Sequence, residues 1–183
     1  MSSDHSFLRL RTGRVFWLCG LSGAGKSTLA SALAADLRAA GRSVLALDGD
    51  RLRAGLCAGL GFSDADRAEN LRRAAETARL ATESGLDVVA AFITPRASHR
   101  ALVAGIVGAD RFHLIHVAAP LDVCRARDVK GLYARAATGA VAQFTGVSSE
   151  FEPPTDAAVT LATAAEPVAA SAARLRAYAL ATP

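Results

Sequence analysis

Lysine is almost missing from this chain of 183 residues: of 21 lysines and arginines, only Lys26 and Lys130 are lysine. Arginine supplies positive charge wherever a generic cation suffices, so each lysine calls for its own explanation. Aromatic residues make up only 5%. Alanine supplies 42 residues, so the hydrophobic fraction of 51% overstates the large side chains available, and the core must be built from Leu, Val and Ala. Cysteine is scarce too. Cys19, Cys57 and Cys124 are odd in number, far apart and without C-x-x-C or C-x-x-H spacing, which excludes a disulfide framework and a zinc site. His5, His99, His113 and His116 have no ligand spacing with one another or with Cys. No apolar run approaches the roughly 18 to 20 residues that span a bilayer. Met1 to Arg14 is polar and lacks the apolar stretch of a signal peptide. A cytoplasmic chain with no membrane partner is expected. The net charge of +4, with 17 acids interspersed, makes a nucleic-acid partner unexpected, and anionic small molecules would satisfy the same arginines.

What is present is an alternation of short apolar runs with longer helical periods, the pattern of one α/β domain with a mainly parallel sheet. Strands are predicted at Val15 to Cys19, Ser43 to Leu47, Val88 to Ile93, His113 to Val117 and Val159 to Leu161. Helices are predicted at about Lys26 to Ala40, with Gly41 as a C-cap, and at Asp64 to Glu83, with Gly85 beyond its end. A short helix is expected after Pro95, another from Pro120 to about Arg127, and a last one from Pro167 to Ala181. Asp128 to Pro154 holds several Gly and Pro residues but no clean period; a connection of this length is commonly a lid or binding loop. The expected division is an N-terminal extension, 1–14, and a single domain, 15–183, with a lid at about 128–154.

Gly20-Leu21-Ser22-Gly23-Ala24-Gly25-Lys26-Ser27 matches G-x-x-x-x-G-K-[ST] between a predicted strand and a predicted helix. Glycines let the backbone fold around phosphate oxygens, and the helix adds its positive N-terminal end. Lys26 is suited to the β and γ phosphates and the Ser27 hydroxyl to Mg²⁺. A nucleoside triphosphate site is expected, and the motif alone does not say which nucleotide fills it. Asp48-Gly49-Asp50 closes the second predicted strand, where ligands of open α/β sheets bind. Two carboxylates there can help hold Mg²⁺ and accept a proton from an attacking hydroxyl, as phosphoryl transfer requires. Arg53, Arg67 and Asn70 supply donors for an anionic group on an acceptor.

The chain resembles the adenylylsulfate kinase (APS kinase) family of P-loop kinases from about Phe16 to Pro154, and more weakly to the end. The family's GLSG(S/A)GKST loop stands as Gly20 to Thr28, its LDGD-x-x-R-x-GL stretch as Leu47 to Leu56, and its LGFS-x-x-DR-x-EN-x-RR signature as Leu60 to Arg73. Its FISP strand end stands as Phe92-Ile93-Thr94-Pro95, its RDPKGLY lid start as Arg127 to Tyr133, and its FTG-x-x-x-x-(Y/F)E-x-P segment as Phe144 to Pro153. The resemblance implies a three-layer P-loop NTPase-like α/β fold and transfer of the γ-phosphate of ATP to the 3′-hydroxyl of adenosine 5′-phosphosulfate (APS). The products would be 3′-phosphoadenosine 5′-phosphosulfate and ADP, in sulfate activation. It implies that Gly20 to Thr28 bind ATP together with Arg127 and Lys130 of the lid, and that Lys26, Asp48 and Asp50 are catalytic. Asp48 would be the base or orienter of the 3′-hydroxyl; Asp50 would assist through the substrate or through Mg²⁺, beside Ser27. Phe62 and Phe144 would sandwich the adenine of the acceptor. Arg53, Arg67 and Asn70 would hold its phosphosulfate, with Asp50, Ile93, Thr94, Lys130 and Leu132 completing the pocket. A homodimer and a functional link to an ATP sulfurylase are implied in the same way.

Some positions depart from the family pattern. Thr94 replaces the usual Ser, and Val129 replaces Pro at the lid start, which loses a rigid φ. Arg96 comes one place before the usual Arg, whose position Ala97 fills, while Arg100 matches the second Arg of that segment. The stretch ahead of Val15 is shorter than the family's usual leading segment. The rival readings are a kinase of the same fold acting on another nucleotide or a small alcohol, and a non-catalytic nucleotide-binding subunit of a sulfate-activating complex.

Overall fold

A computed structural model describes residues 12–129, 131–137, 144–147 and 149–182. Five strands form one sheet in the order β2-β3-β1-β4-β5. They are β1 (Val15–Cys19), β2 (Val44–Asp48), β3 (Asp87–Ala91), β4 (Phe112–Ala118) and β5 (Val159–Ala162). Every neighbouring pair is parallel. β1 lies at the centre, and all five of its residues are buried, as expected of a strand covered on both faces.

Strand alternation divides the core in two. Phe16 and Leu18 of β1 point to one face, with Ile115 and Leu161, where they meet Leu29, Leu33 and Leu37 of α1 (Lys26–Ala39) and Leu175 near the chain end. Val15, Trp17 and Cys19 point to the other face with Val88 and Leu114. That second layer is closed by Leu71, Ala75 and Ala78, joined by Val103 and Val107. The scarcity of large side chains is met by close packing of alanines against a thin strand core, and truncating a residue such as Leu33 would cost about 2 to 5 kcal/mol.

The remaining helices are α2 (Gly49–Arg53), α3 (Asp64–Glu83), α4 (Ala97–Val107), α5 (Leu121–Arg127), α6 (Leu132–Ala137) and α7 (Val168–Ala181). Ser63 caps α3 by accepting from Asp66 N, and acids occupy its first turn. Two short helices were not expected. α2 forms because Asp48 caps it, its Oδ1 accepting from Asp50 N at 3.0 Å. α6 lies within the stretch expected to be a lid, and the Asp128 carboxylate accepts from Tyr133 N and Ala134 N, both at 3.0 Å. β3 ends at Ala91, two residues before its expected end, because the backbone turns at Thr94, which has φ +45°.

Candidate functional site

Ala91 of β3 pairs with Leu18 of β1 on one side and with Asp48 of β2 on the other. The segments leaving these three strands therefore emerge side by side at the carboxyl edge of the sheet, where a cavity of about 320 Å³ opens.

The loop after β1 forms one end of that cavity. Gly25 sits at φ +101° and Gly23 at φ +79°; conformation favours glycine at both, and at Gly23 space does too, since a Cβ there would lie 2.9 Å from Cys124 O. Three consecutive carbonyls of the loop are tied outward. Ser22 O accepts from Tyr133 Oη at 3.0 Å, Gly23 O from Arg127 at 3.3 Å and Ala24 O from Thr163 Oγ1 at 2.8 Å. In trans peptides the N–H lies opposite the C=O, so these anchors turn the N–H groups of Gly23 and Gly25 the other way. Both glycines line the cavity, as do Ser22, Lys26, Ser27 and Thr28. Gly20, Leu21 and Ala24 are buried beneath them. Gly25 is the N-cap of α1 and no side chain caps that helix, so its first-turn N–H groups are available to an anion. Lys26 Nζ donates to Leu21 O at 2.7 Å. Ser27 Oγ donates to Asp48 Oδ2 at 2.9 Å, which joins the loop to the end of β2.

At the other end, Asp50, Arg53, Phe62, Arg67 and Asn70 line the same cavity. Arg53 donates to Leu60 O at 3.0 Å and Gly61 O at 2.7 Å, and its guanidinium lies 4.6 Å over the Phe62 ring. Arg67 Nε donates to Phe62 O at 3.0 Å. Two arginines thus hold the turn that presents Phe62, a residue that remains 48% exposed. Burial lowers the pKa of both guanidinium groups, and Arg53 adds to the effect at Arg67. Arginine stays charged even so, and an anion between them would relieve both effects. Asn70 is only 5% exposed and its Oδ1 has no hydrogen-bond partner, a buried acceptor facing a polar pocket.

The facing wall comes from Ile93, Thr94, Leu132 and Phe144. Thr94 is buried, and its hydroxyl accepts from Trp17 Nε1 at 2.8 Å. Phe144 is also buried and meets Tyr133 edge-on with ring centroids 5.0 Å apart.

Sixteen residues proposed from sequence thus share one cavity. Arg127 does not line it and instead braces the loop from α5, donating to Thr163 O at 2.7 Å as well as to Gly23 O. Lys130 lies outside the described residues. Arg96 pairs with Asp64 at 3.1 Å and does not line the cavity either, so its one-place shift brings no guanidinium inside. Sequence reasoning missed Arg135, which reaches the cavity from α6, because six helical residues show no period. It also gave no role to Trp17, Tyr133, Thr163 or Glu152.

His99, His113, His116 and the cysteines stand apart from this cavity, and His5 lies outside the described residues. His113 Nδ1 is 2.8 Å from Tyr178 Oη, and His116 stacks on Phe151 at 6.0 Å. All three cysteines are free and buried, and burial pushes the Cys19 thiol up to about 12. Among the described residues no group of three or more His, Cys, Asp or Glu could hold a metal ion, and no helix is long and apolar enough to cross a membrane.

Comparison with known proteins gives the same picture. The family model described as adenylylsulphate kinase matches residues 12–162. An adenylyl-sulfate kinase of Paraburkholderia xenovorans is 51% identical over 166 residues, which cover 91% of this chain and 92% of the relative. Among solved structures, an APS kinase of Mycobacterium tuberculosis in complex with AMPPNP and APS is similar with a TM-score of 0.88 and 39% identity, covering 93% of this chain and 99% of that one. A hexameric APS kinase from Thiobacillus denitrificans is similar with a TM-score of 0.68 and 32% identity, covering 91% of this chain and 28% of that longer one. With its phosphate loop, its paired arginines and a family match across most of its length, this chain belongs to the adenylylsulphate kinase family.

Proposed function

We propose that the protein is an ATP-dependent kinase that transfers the γ-phosphate of ATP to the 3′-hydroxyl of APS, releasing ADP and 3′-phosphoadenosine 5′-phosphosulfate. The observation that carries this reading is one cavity with a phosphate loop at one end and Arg53, Arg67, Asn70 and Phe62 at the other, in a chain of this family. In the reaction the 3′-oxygen forms a bond to the γ-phosphorus, the bond to the bridging oxygen breaks, and ADP leaves with that electron pair. The hydroxyl proton passes to a carboxylate.

Each residue has a role that its geometry supports. The N–H groups of Gly23 and Gly25 and the start of α1 bind phosphate oxygens, and Lys26 exchanges Leu21 O for the β and γ phosphates. Asp48 is fixed by Ser27 Oγ and Asp50 N, yet an ionised carboxylate keeps further lone pairs, so it can receive the 3′-hydroxyl with Asp50 assisting. Arg53, Arg67 and Asn70 hold the phosphosulfate, and Phe62 and Phe144 stack on the adenine, with Ile93, Thr94 and Leu132 completing the wall. Arg127 supports the phosphate loop through Gly23 O, and Lys130 is assigned with Asp128 to Pro154 to the lid on the family resemblance. The hard oxygens of Ser27, Asp48 and Asp50 fit Mg²⁺, which takes few protein ligands and completes its shell with phosphates and water. When bound, that ion neutralises charge on the transferred group.

The family resemblance further supports a homodimer and a functional link to an ATP sulfurylase, and the need for ATP supports a cytoplasmic location. The kinase domain spans 15–183 and follows an extension at 1–14. The deciding experiment is ADP release by purified protein with MgATP and APS, against a panel of other nucleotides and small alcohols. Turnover of APS above all others is expected. Turnover of a different alcohol without APS would redirect the assignment to another kinase of this fold, and ATP binding without ADP release to a non-catalytic subunit.

A further inference from the structure

Glu152 ties the Phe144 segment of that facing wall to the Thr94 turn beside it. Its main-chain N–H donates to Pro95 O at 2.8 Å, and its main-chain carbonyl accepts from Arg100 at 2.7 Å. Its carboxylate accepts from Ala97 N, also at 2.7 Å. Arg100 completes the ring of contacts by reaching Thr94 O at 3.5 Å. Ala97 is the first residue of α4, and Arg96, the N-cap, makes no side-chain cap. A negative charge from 55 residues away therefore satisfies an N–H that its own segment leaves open, at the positive end of an eleven-residue helix.

The turn held in this way is strained. Thr94 has φ +45°, a conformation that β-branched residues keep only when their surroundings enforce it. Enforcement comes from Trp17 Nε1 on its hydroxyl and from Arg100 on its carbonyl, and Arg100 is in turn held by Glu152. On the other side, the segment that ends at Glu152 begins with Phe144, whose carbonyl accepts from Val147 N and Ser149 N.

We propose that Glu152 is a positioning residue for the acceptor site: its carboxylate, by capping the α4 N-terminus at Ala97, sets the Thr94 turn and the Phe144 segment relative to each other. It touches neither substrate. The inference rests on the reading of APS as acceptor, but its structural half can be tested without turnover. Trp17 is the only tryptophan in the chain, so intrinsic fluorescence reports the Thr94 contact directly.

The experiment compares Glu152→Ala, Glu152→Gln and the wild type by Trp17 emission without ligands, by KM for APS and for ATP, and by thermal unfolding. Glu152→Ala is expected to shift the emission and to raise KM for APS roughly tenfold, with KM for ATP changed less than about twofold. Glu152→Gln keeps an oxygen that can accept from Ala97 N and is expected to restore both readings. Unchanged emission with unchanged KM for APS, equal rises in both KM values, or a Gln variant as impaired as Ala would each overturn the proposal. If Glu152→Ala does not fold, Glu152→Asp, one methylene shorter, is expected to move emission and KM for APS in the same directions, and its failure to do so overturns the proposal equally. A wild type inactive on APS would refute the acceptor reading, while the emission shift would still decide whether Glu152 sets the turn.

Discussion

Trp17 and Thr94, 77 residues apart, meet in a buried hydrogen bond in which the indole N–H donates to the threonine hydroxyl at 2.8 Å. Trp17 is fully buried and stacks on Phe92 with ring centroids 4.7 Å apart, so its N–H has no route to water. Removing the acceptor while keeping the shape is the sharpest test. Thr94→Val should destabilise the fold by about 1 to 3 kcal/mol, the cost of leaving a buried donor unpaired. Thr94→Ser, which keeps the hydroxyl, should lie closer to the wild type in urea unfolding. Equal stability of the Val variant and the wild type would mean that the bond contributes nothing.

Lys26 offers a test of the phosphate loop. Its ammonium rests on Leu21 O in a half-buried position, and a hydrogen bond from a charged donor is worth about 1.5 to 3 kcal/mol at most. Lys26→Ala should therefore lose no more stability than that and still fold, yet lose about 10² to 10³ in kcat or more, because a cation aimed at the transferred phosphate acts where charge develops. Circular dichroism and ADP release on the same sample separate the two effects. A folded variant with full turnover would remove Lys26 from the reaction.

Phe62 tests the acceptor end of the cavity independently of the phosphate loop. Half-exposed and held by Arg53 and Arg67, its ring can be removed with little effect on the core. Base stacking on an aromatic ring is worth about 1 to 3 kcal/mol, so Phe62→Ala should weaken APS binding roughly ten- to a hundredfold and leave ATP binding nearly unchanged. Isothermal titration with APS and with a non-hydrolysable ATP analogue measures both. Equal losses would argue against stacking on the acceptor.

How far these features could be read in advance depended on their range along the chain. The phosphate loop was legible because its glycines, Lys26 and Ser27 are contiguous, and α3 because Asp64 and Gly85 mark both ends of a twenty-residue period. β1 was legible as an apolar run buried on both faces. α2 and α6 were not, since five and six residues complete too few turns to show a period and each depends on one Asp, Asp48 or Asp128. Contacts between distant segments were the least legible. Nothing in residues 94 to 97 announces that Trp17 and Glu152 hold them, and nothing near Arg127 indicates that it would support the loop from behind through Thr163.

The histidines give the fold a pH dependence with a definite sign. Burial lowers the pKa of His99, His113 and His116 below the ordinary value of 6.5, at His99 against the pull of Asp64. Arg14 reinforces the effect at His113 and Arg100 at His116. Above about 6.5 these imidazoles are neutral in both folded and unfolded chains. As pH falls below that value the unfolded chain takes up protons that the folded chain resists, so stability present above 6.5 is lost progressively toward the lower folded values. Unfolding midpoints should therefore drop between pH 7.5 and pH 5.5, before most carboxylates titrate, an interval chosen around the ordinary imidazole value of about 6.5. His99→Gln removes one of the three groups and should make that decline shallower. A midpoint that stays level or rises on acidification through this interval would show that the buried imidazoles are not held neutral by the fold.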